Sequence, residues 1–125
     1  MASVKDWLST ANAVVPRLAP REVKELLTRH DVVLIDVRDA PEVQQSGKLR
    51  GARNISRGMI EFRADPATPY YDPTLRKDAT VVLYCASGGR SALAAKTLLD
   101  MEFTSVYNAG GFQELAAAGI ETEPA

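Results

Sequence analysis

The sequence predicts an α/β domain built on a mainly parallel sheet. Short apolar runs rich in β-branched residues, at 32–36, 81–85 and 104–107, alternate with stretches whose apolar residues recur at helical spacing. Strands that alternate with helices return to one sheet by crossovers, which makes neighbouring strands parallel. The run 81–85 also passes through two glycines straight into an alanine- and leucine-rich helix, a strand-to-helix turn of the kind that places side chains at the carboxyl edge of such a sheet.

At 125 residues the chain is expected to form one domain, with a core over about 18–118, an N-terminal helix within 1–16 and a tail at 121–125. A formal net charge of −1 gives no electrostatic reason to expect nucleic acid or an acidic membrane as a partner. No apolar run reaches transmembrane length, and the first residues do not read as a secretory signal. One cysteine cannot close an internal disulfide, which fits a reducing cytoplasm. One cysteine and one histidine do not make a usual zinc site, and no metal or organic cofactor is expected.

Taken in order, Trp7, Leu8, Ala11, Val14 and Val15 recur at roughly helical spacing and predict a short helix packed on the domain. Pro20 near a helix start, followed by Val23, Leu26 and Leu27, predicts a second. His30 then reads as a residue at that helix's C-terminus, favoured there by the dipole. The run 32–36 ends in Asp36, which with Arg38 falls at the carboxyl end of a central strand. These two either support loops there, by bonding backbone and pairing charge, or take part in the chemistry. Asp39 and Pro41 predict a capped short helix.

Arg53 and Asn54 lead into Ile55, a short strand. Residues 58–63 predict a helix, and 65–73 a proline-rich loop with two tyrosines. This excursion is either a lid that selects substrate or partner, or a rigid surface feature packed by Phe62, Tyr70 and Tyr71. The helix after the central loop is expected over 91–101, and a short strand over 104–107. Gly110 and Gly111 predict a tight turn into a last helix over 112–118, which Gly119 stops. The residues from 121 onward are expected to fray.

The chemistry points to Cys85-Ala86-Ser87-Gly88-Gly89-Arg90-Ser91. The glycines let the backbone turn sharply and aim successive N–H groups at one spot. The helix that starts there adds unpaired N–H groups and its dipole, and Arg90 adds a full charge. A thiol in such a cradle ionises below the roughly 8.5 of free cysteine, and the thiolate is the nucleophile. The same cradle binds anions, so Cys85 suits attack on an anionic substrate. With one histidine in the chain and no sign that it lies beside Cys85, the activation is assigned to the loop and not to an imidazole base.

This loop resembles the active-site loop of the rhodanese family of sulfurtransferases, whose small members carry Cys-x-x-Gly-x-Arg-Ser. Leu34-Ile35-Asp36-Val37-Arg38 resembles the family's second signature. Residues 47–55, Gly-Lys-Leu-Arg-Gly-Ala-Arg-Asn-Ile, resemble its Gly-His-Ile-x-Gly-Ala-x-Asn-Ile stretch, and 106–111 its last strand with a Gly-Gly turn. Arg38 and Glu42 match an Arg-x-x-x-Glu-aromatic pattern in which Val43 replaces the aromatic, and Lys48 stands where histidine is frequent. The segment from Arg57 to Tyr70 resembles the longer link of a subset of members.

The resemblance implies a three-layer fold of about five strands with helices on both faces, and a mainly supporting role for Asp36 and Arg38. It also implies transfer of a sulfane sulfur, from thiosulfate or a persulfide, through a Cys85 persulfide to cyanide or a thiol. Ala86, Ser87, Gly88, Gly89, Arg90 and Ser91 would then form the substrate-binding loop. Arg90 either binds the donor or shapes the loop, and further cations for the donor are sought in Arg38, Arg57 or Lys48. The expected partners are a small-molecule donor and acceptor, or a protein thiol. The alternative is a persulfide carrier or binding module that docks on a partner. A cysteine phosphatase or arsenate reductase fits less well, because those loops usually hold five residues between Cys and Arg and this one holds four, Ala86 to Gly89.

Overall fold

The computed structural model describes residues 2–125. Six helices, α1 (Val4–Val14), α2 (Pro20–Leu26), α3 (Ala40–Ser46), α4 (Ile60–Ala64), α5 (Gly89–Asp100) and α6 (Phe112–Ala117), surround the strands. The strands are β1 (Val32–Asp36), β2 (Lys48–Leu49), β3 (Arg53–Asn54), β4 (Thr80–Cys85), β5 (Ser105–Gly111) and β6 (Thr122–Glu123). The central sheet has the order β3-β1-β4-β5 and is parallel at every pairing. A single parallel bridge from Arg17 to Asn108 extends it past β5. This is the mainly parallel α/β fold that the strand–helix alternation predicts.

β4 lies at the centre, and all six of its residues are buried. Its side chains divide by the period-2 pleat. Val81, Leu83 and Cys85 join Ile35, Ile60, Ala94, Leu98 and Val106 in one core layer, under α4 and α5. Val82 and Tyr84 join Leu34, Val23, Phe112 and Leu115 in the other, under α2 and α6. α1 packs on α5 with Ala11 buried, and Val15, just beyond its end, joins the first layer. No helix among the described residues is long and apolar enough to cross a membrane.

Several boundaries differ from expectation. α5 begins at Gly89, two residues before the expected start at 91, so the glycine pair belongs to the helix N-terminus. Gly88, at φ 102°, is the residue before its first turn. β5 runs on through Gly110 and Gly111, where a turn was expected. The register jumps there: Leu83 pairs with Asn108 but Tyr84 with Gly110, leaving Ala109 as the extra residue of a bulge. The expected frayed tail is instead paired, because β6 forms an antiparallel ladder with β2 and Glu123 binds Lys48 and the Gly51 N–H. His30 sits four residues past the end of α2, in an exposed turn before β1.

Candidate active site

Parallel strands bring their carboxyl ends to one edge of the sheet, and Cys85 ends the central one. The loop has to turn from a buried strand into α5 within three residues, Ala86 to Gly88. Gly88 makes this possible with its positive φ, and its N–H then points back to donate to Cys85 Sγ at 3.0 Å. A second close approach is needed on the other side. A Cβ at Gly111 would lie 2.5 Å from the Ala86 carbonyl oxygen, so only glycine lets β5 run this close to the loop.

Cys85 is 1% exposed, while Ala86 and Ser87 beside it are open to solvent. Burial by itself pushes the thiol's pKa up. Hydrogen bonds from the Ser91 hydroxyl and from the amides of Ser91, Ser87 and Gly88 favour the thiolate and outweigh it. The net pKa lies below the ordinary cysteine value. Of the cradle residues the sequence predicts, Ser87, Gly88 and Ser91 donate to the sulfur.

Arg90 spends its hydrogen bonds elsewhere, its two terminal nitrogens donating to Glu42 Oε2 and Oε1 at 2.7 and 2.9 Å, while its charge still acts on Cys85. Glu42 also accepts the Asp39 N–H at 2.9 Å, so α3 and α5 are tied at the mouth of the loop. With Arg90 and that amide bonded to it, the Glu42 carboxyl is held down to about 2. The pair therefore persists as pH falls through the ordinary carboxylate range and is lost only as pH approaches about 2.

Asp36 and Arg38 lie one strand away and pair with each other. Arg38 Nη2 and Nε donate to the Asp36 carboxylate at 2.7–3.1 Å, with the two residues 4% and 0% exposed. The remaining donors reach Ser46 Oγ and the Gly47 carbonyl, both at 2.8 Å, and the guanidinium lies 4.4 Å from the Phe112 ring centroid. A buried charge pair whose donors are satisfied in this way fixes the chain between β1 and β2. The other cations sought for the donor are also engaged: Arg57 bonds Glu61 and Thr97, and Lys48 bonds Glu123. His30 precedes β1, at the end of the parallel sheet opposite Cys85. Among the described residues no group of three or more His, Cys, Asp or Glu comes together to hold a metal ion.

Asn108 was not singled out from sequence, although it braces the loop from β5. Its Nδ2 donates to the Gly88 carbonyl at 3.0 Å, and its Oδ1 accepts from the Gly110 N–H at 3.0 Å and from Ser91 Oγ at 2.8 Å. Asparagine is uncommon inside a strand, and that is the one signal the sequence offered.

The model of the rhodanese-like domain matches residues 19–118. The chain belongs to the rhodanese-like family. A thiosulfate sulfurtransferase of Escherichia coli, PspE, is 38% identical over 70% of this chain and 77% of its own length. A solved protein of unknown function from Rhodopseudomonas palustris, described as a possible tyrosine phosphatase, has a TM-score of 0.91 at 38% identity, covering 98% of this chain and 96% of its own. The polysulfide-sulfur transferase homodimer of Wolinella succinogenes has a TM-score of 0.77 at 31% identity, covering 97% of this rhodanese-like chain and 87% of its own. These comparisons make the chain a rhodanese-like transferase at the level of the family.

Proposed function

We propose that this protein is a sulfurtransferase that carries a sulfane sulfur on Cys85. The observation that carries the reading is the cradle itself: Sγ accepts the Gly88 N–H at 3.0 Å, at the head of α5, under hydrogen bonds that lower its pKa. In the first step the thiolate attacks the outer sulfur of thiosulfate or a persulfide. The donor's S–S bond breaks, its electron pair leaves with sulfite or a thiolate, and Cys85 becomes a persulfide. In the second step cyanide or an acceptor thiolate attacks the outer sulfur, and the Cys85 thiolate returns as the leaving group. Amides 86–90 stabilise the negative charge that develops in both steps. The acceptor is a small molecule or a protein thiol, since the second step is the same for both.

A phosphatase reading is weaker on two counts. Four residues separate Cys85 from Arg90, and Arg90 has both terminal nitrogens on Glu42 instead of facing an anion between the amides. Intact mass of the reduced protein after thiosulfate, with Cys85→Ser beside it, tests the proposal. The expected result is one added sulfur in the wild type alone, removed by cyanide or thiol. No added sulfur from thiosulfate or from a persulfide donor would refute it.

A further inference from the structure

We propose that Arg17 is the residue that recognises the anionic end of the sulfur donor at the Cys85 loop, an inference that rests on the sulfurtransferase reading for its substrate class. Arg17 lies before the family-matched stretch 19–118, on the short extended segment that bridges to β5. That segment is held by the residue that also braces the loop. Leu18 N–H donates to the Asn108 carbonyl and Asn108 N–H to the Pro16 carbonyl, both at 3.0 Å.

The Arg17 guanidinium lies over two glycines. A Cβ at Gly88 would sit 3.3 Å from Nη1 and 3.6 Å from Cζ. One at Gly110 would sit 3.0 Å from Cζ and 3.2 Å from Nε, and would overlap Nη2. Both glycines have positive φ, and Gly88 is the residue whose amide binds Sγ. The missing side chains thus leave a slot in which a cation rests beside Gly88, the residue whose amide binds the sulfur.

The cation is also available. Arg90, Arg38, Arg57 and Lys48 all hold carboxylates in close hydrogen bonds. The contact of Arg17 with Glu114 is 3.8 Å, beyond hydrogen-bond distance, between side chains 51% and 60% exposed. The tetrahedral SO3 end of thiosulfate, like a sulfonate, presents two oxygens to the guanidinium's forked donors. The loop's neutral residues supply amides for the reacting sulfur, and Arg17 supplies the charge for the rest of the donor.

The test uses Arg17→Gln and Arg17→Lys in the full chain. Arg17→Gln is expected to raise KM for thiosulfate about tenfold, the effect of one lost charge-assisted hydrogen bond, with kcat within about twofold. Cys85 blocking by two methanethiosulfonates gives a second reading. In both, the thiolate takes the sulfenyl sulfur and methanesulfinate leaves. The anionic 2-sulfonatoethyl reagent should slow about tenfold in Arg17→Gln while the neutral methyl reagent keeps its rate, and Arg17→Lys should restore most of the anionic rate. An unchanged ratio of the two rates overturns the proposal, and so does equal slowing of both, which makes Arg17 a support of the loop. If the wild type never gains sulfur, the sulfurtransferase reading fails, while the reagent ratio still decides whether Arg17 recognises anions.

Discussion

The Ser91 hydroxyl has one proton and two acceptors within reach, Asn108 Oδ1 at 2.8 Å and Cys85 Sγ at 3.4 Å. The Asn108 oxygen keeps the Gly110 N–H whichever way the proton turns. With a neutral thiol the shorter bond holds; with a thiolate the hydroxyl has an anion to turn to, and the anion gains by it. The sign follows: a donor to the charged form lowers the thiol's pKa, and its removal raises it. Ser91→Ala is therefore expected to move the pH midpoint of Cys85 alkylation by iodoacetamide upward, and to slow the reaction about three- to tenfold at pH 7. A midpoint that stays in place would assign the lowered pKa to the amides alone. The variant should fold, because the Asn108 oxygen it leaves behind is still bonded.

At the scale of the element, β5 shows what the sequence carried and what it did not. The apolar run and the glycines of 104–111 were legible, but two adjacent glycines read as a turn because glycine usually marks one. Their use here is different. Gly110 turns through a positive φ of 93° at the bulge, whereas Gly111 has φ −110°, which any residue adopts. Gly111 is required by proximity to Ala86, a contact across two elements that no local pattern encodes. Gly111→Ala should therefore push the Cys85 loop away. It is expected to cost about 1–3 kcal/mol of stability. Donor-dependent persulfide formation is expected to fall at least about tenfold, since a shift of about 1 Å disturbs the amide cradle. Gly58→Ala, at a position with nothing within 4 Å of the added Cβ, is the control and should change neither the melting curve nor the rate. Equal behaviour of the two variants would show that the close approach is not what positions the loop. Asn108 and the Arg90–Glu42 pair escaped the sequence for the same reason as Gly111. Each is an encounter between elements, while Cys85, Gly88 and Ser91 lie within one turn of chain and were legible as a motif.

Over the whole molecule, the central sheet and its flanking helices were legible because each strand and helix carries its own period. The closure at the C-terminal end was not. β6 is two residues long and has no periodicity to read, and its partner β2 lies more than seventy positions away. The N-terminal segment was readable as a helix packed on the domain, but not as a neighbour of the Cys85 loop. α1 covers α5, Val15 completes the core layer beneath Cys85, and a Cβ on Gly89 would meet Leu8 Cδ2 at 3.8 Å. A chain beginning at residue 19 would keep every position that the family model matches and lose all of these. Val15 is 5% exposed, so its burial alone is worth about 1.5–3 kcal/mol. Removing it together with Ala11, and so uncovering the core layer beneath them, should lower Tm by about 10 °C for a domain of this size. Persulfide formation should survive below that temperature, because Cys85, Ser91 and Asn108 all remain. Its KM for thiosulfate should rise as in Arg17→Gln, because the truncation removes the same guanidinium. Thermal unfolding and saturation kinetics on the two proteins separate these effects. A truncated protein with the parent's Tm would mean that α1 rests on the domain without contributing to it. A truncated protein with the parent's KM would mean that the donor is held within the family-matched stretch.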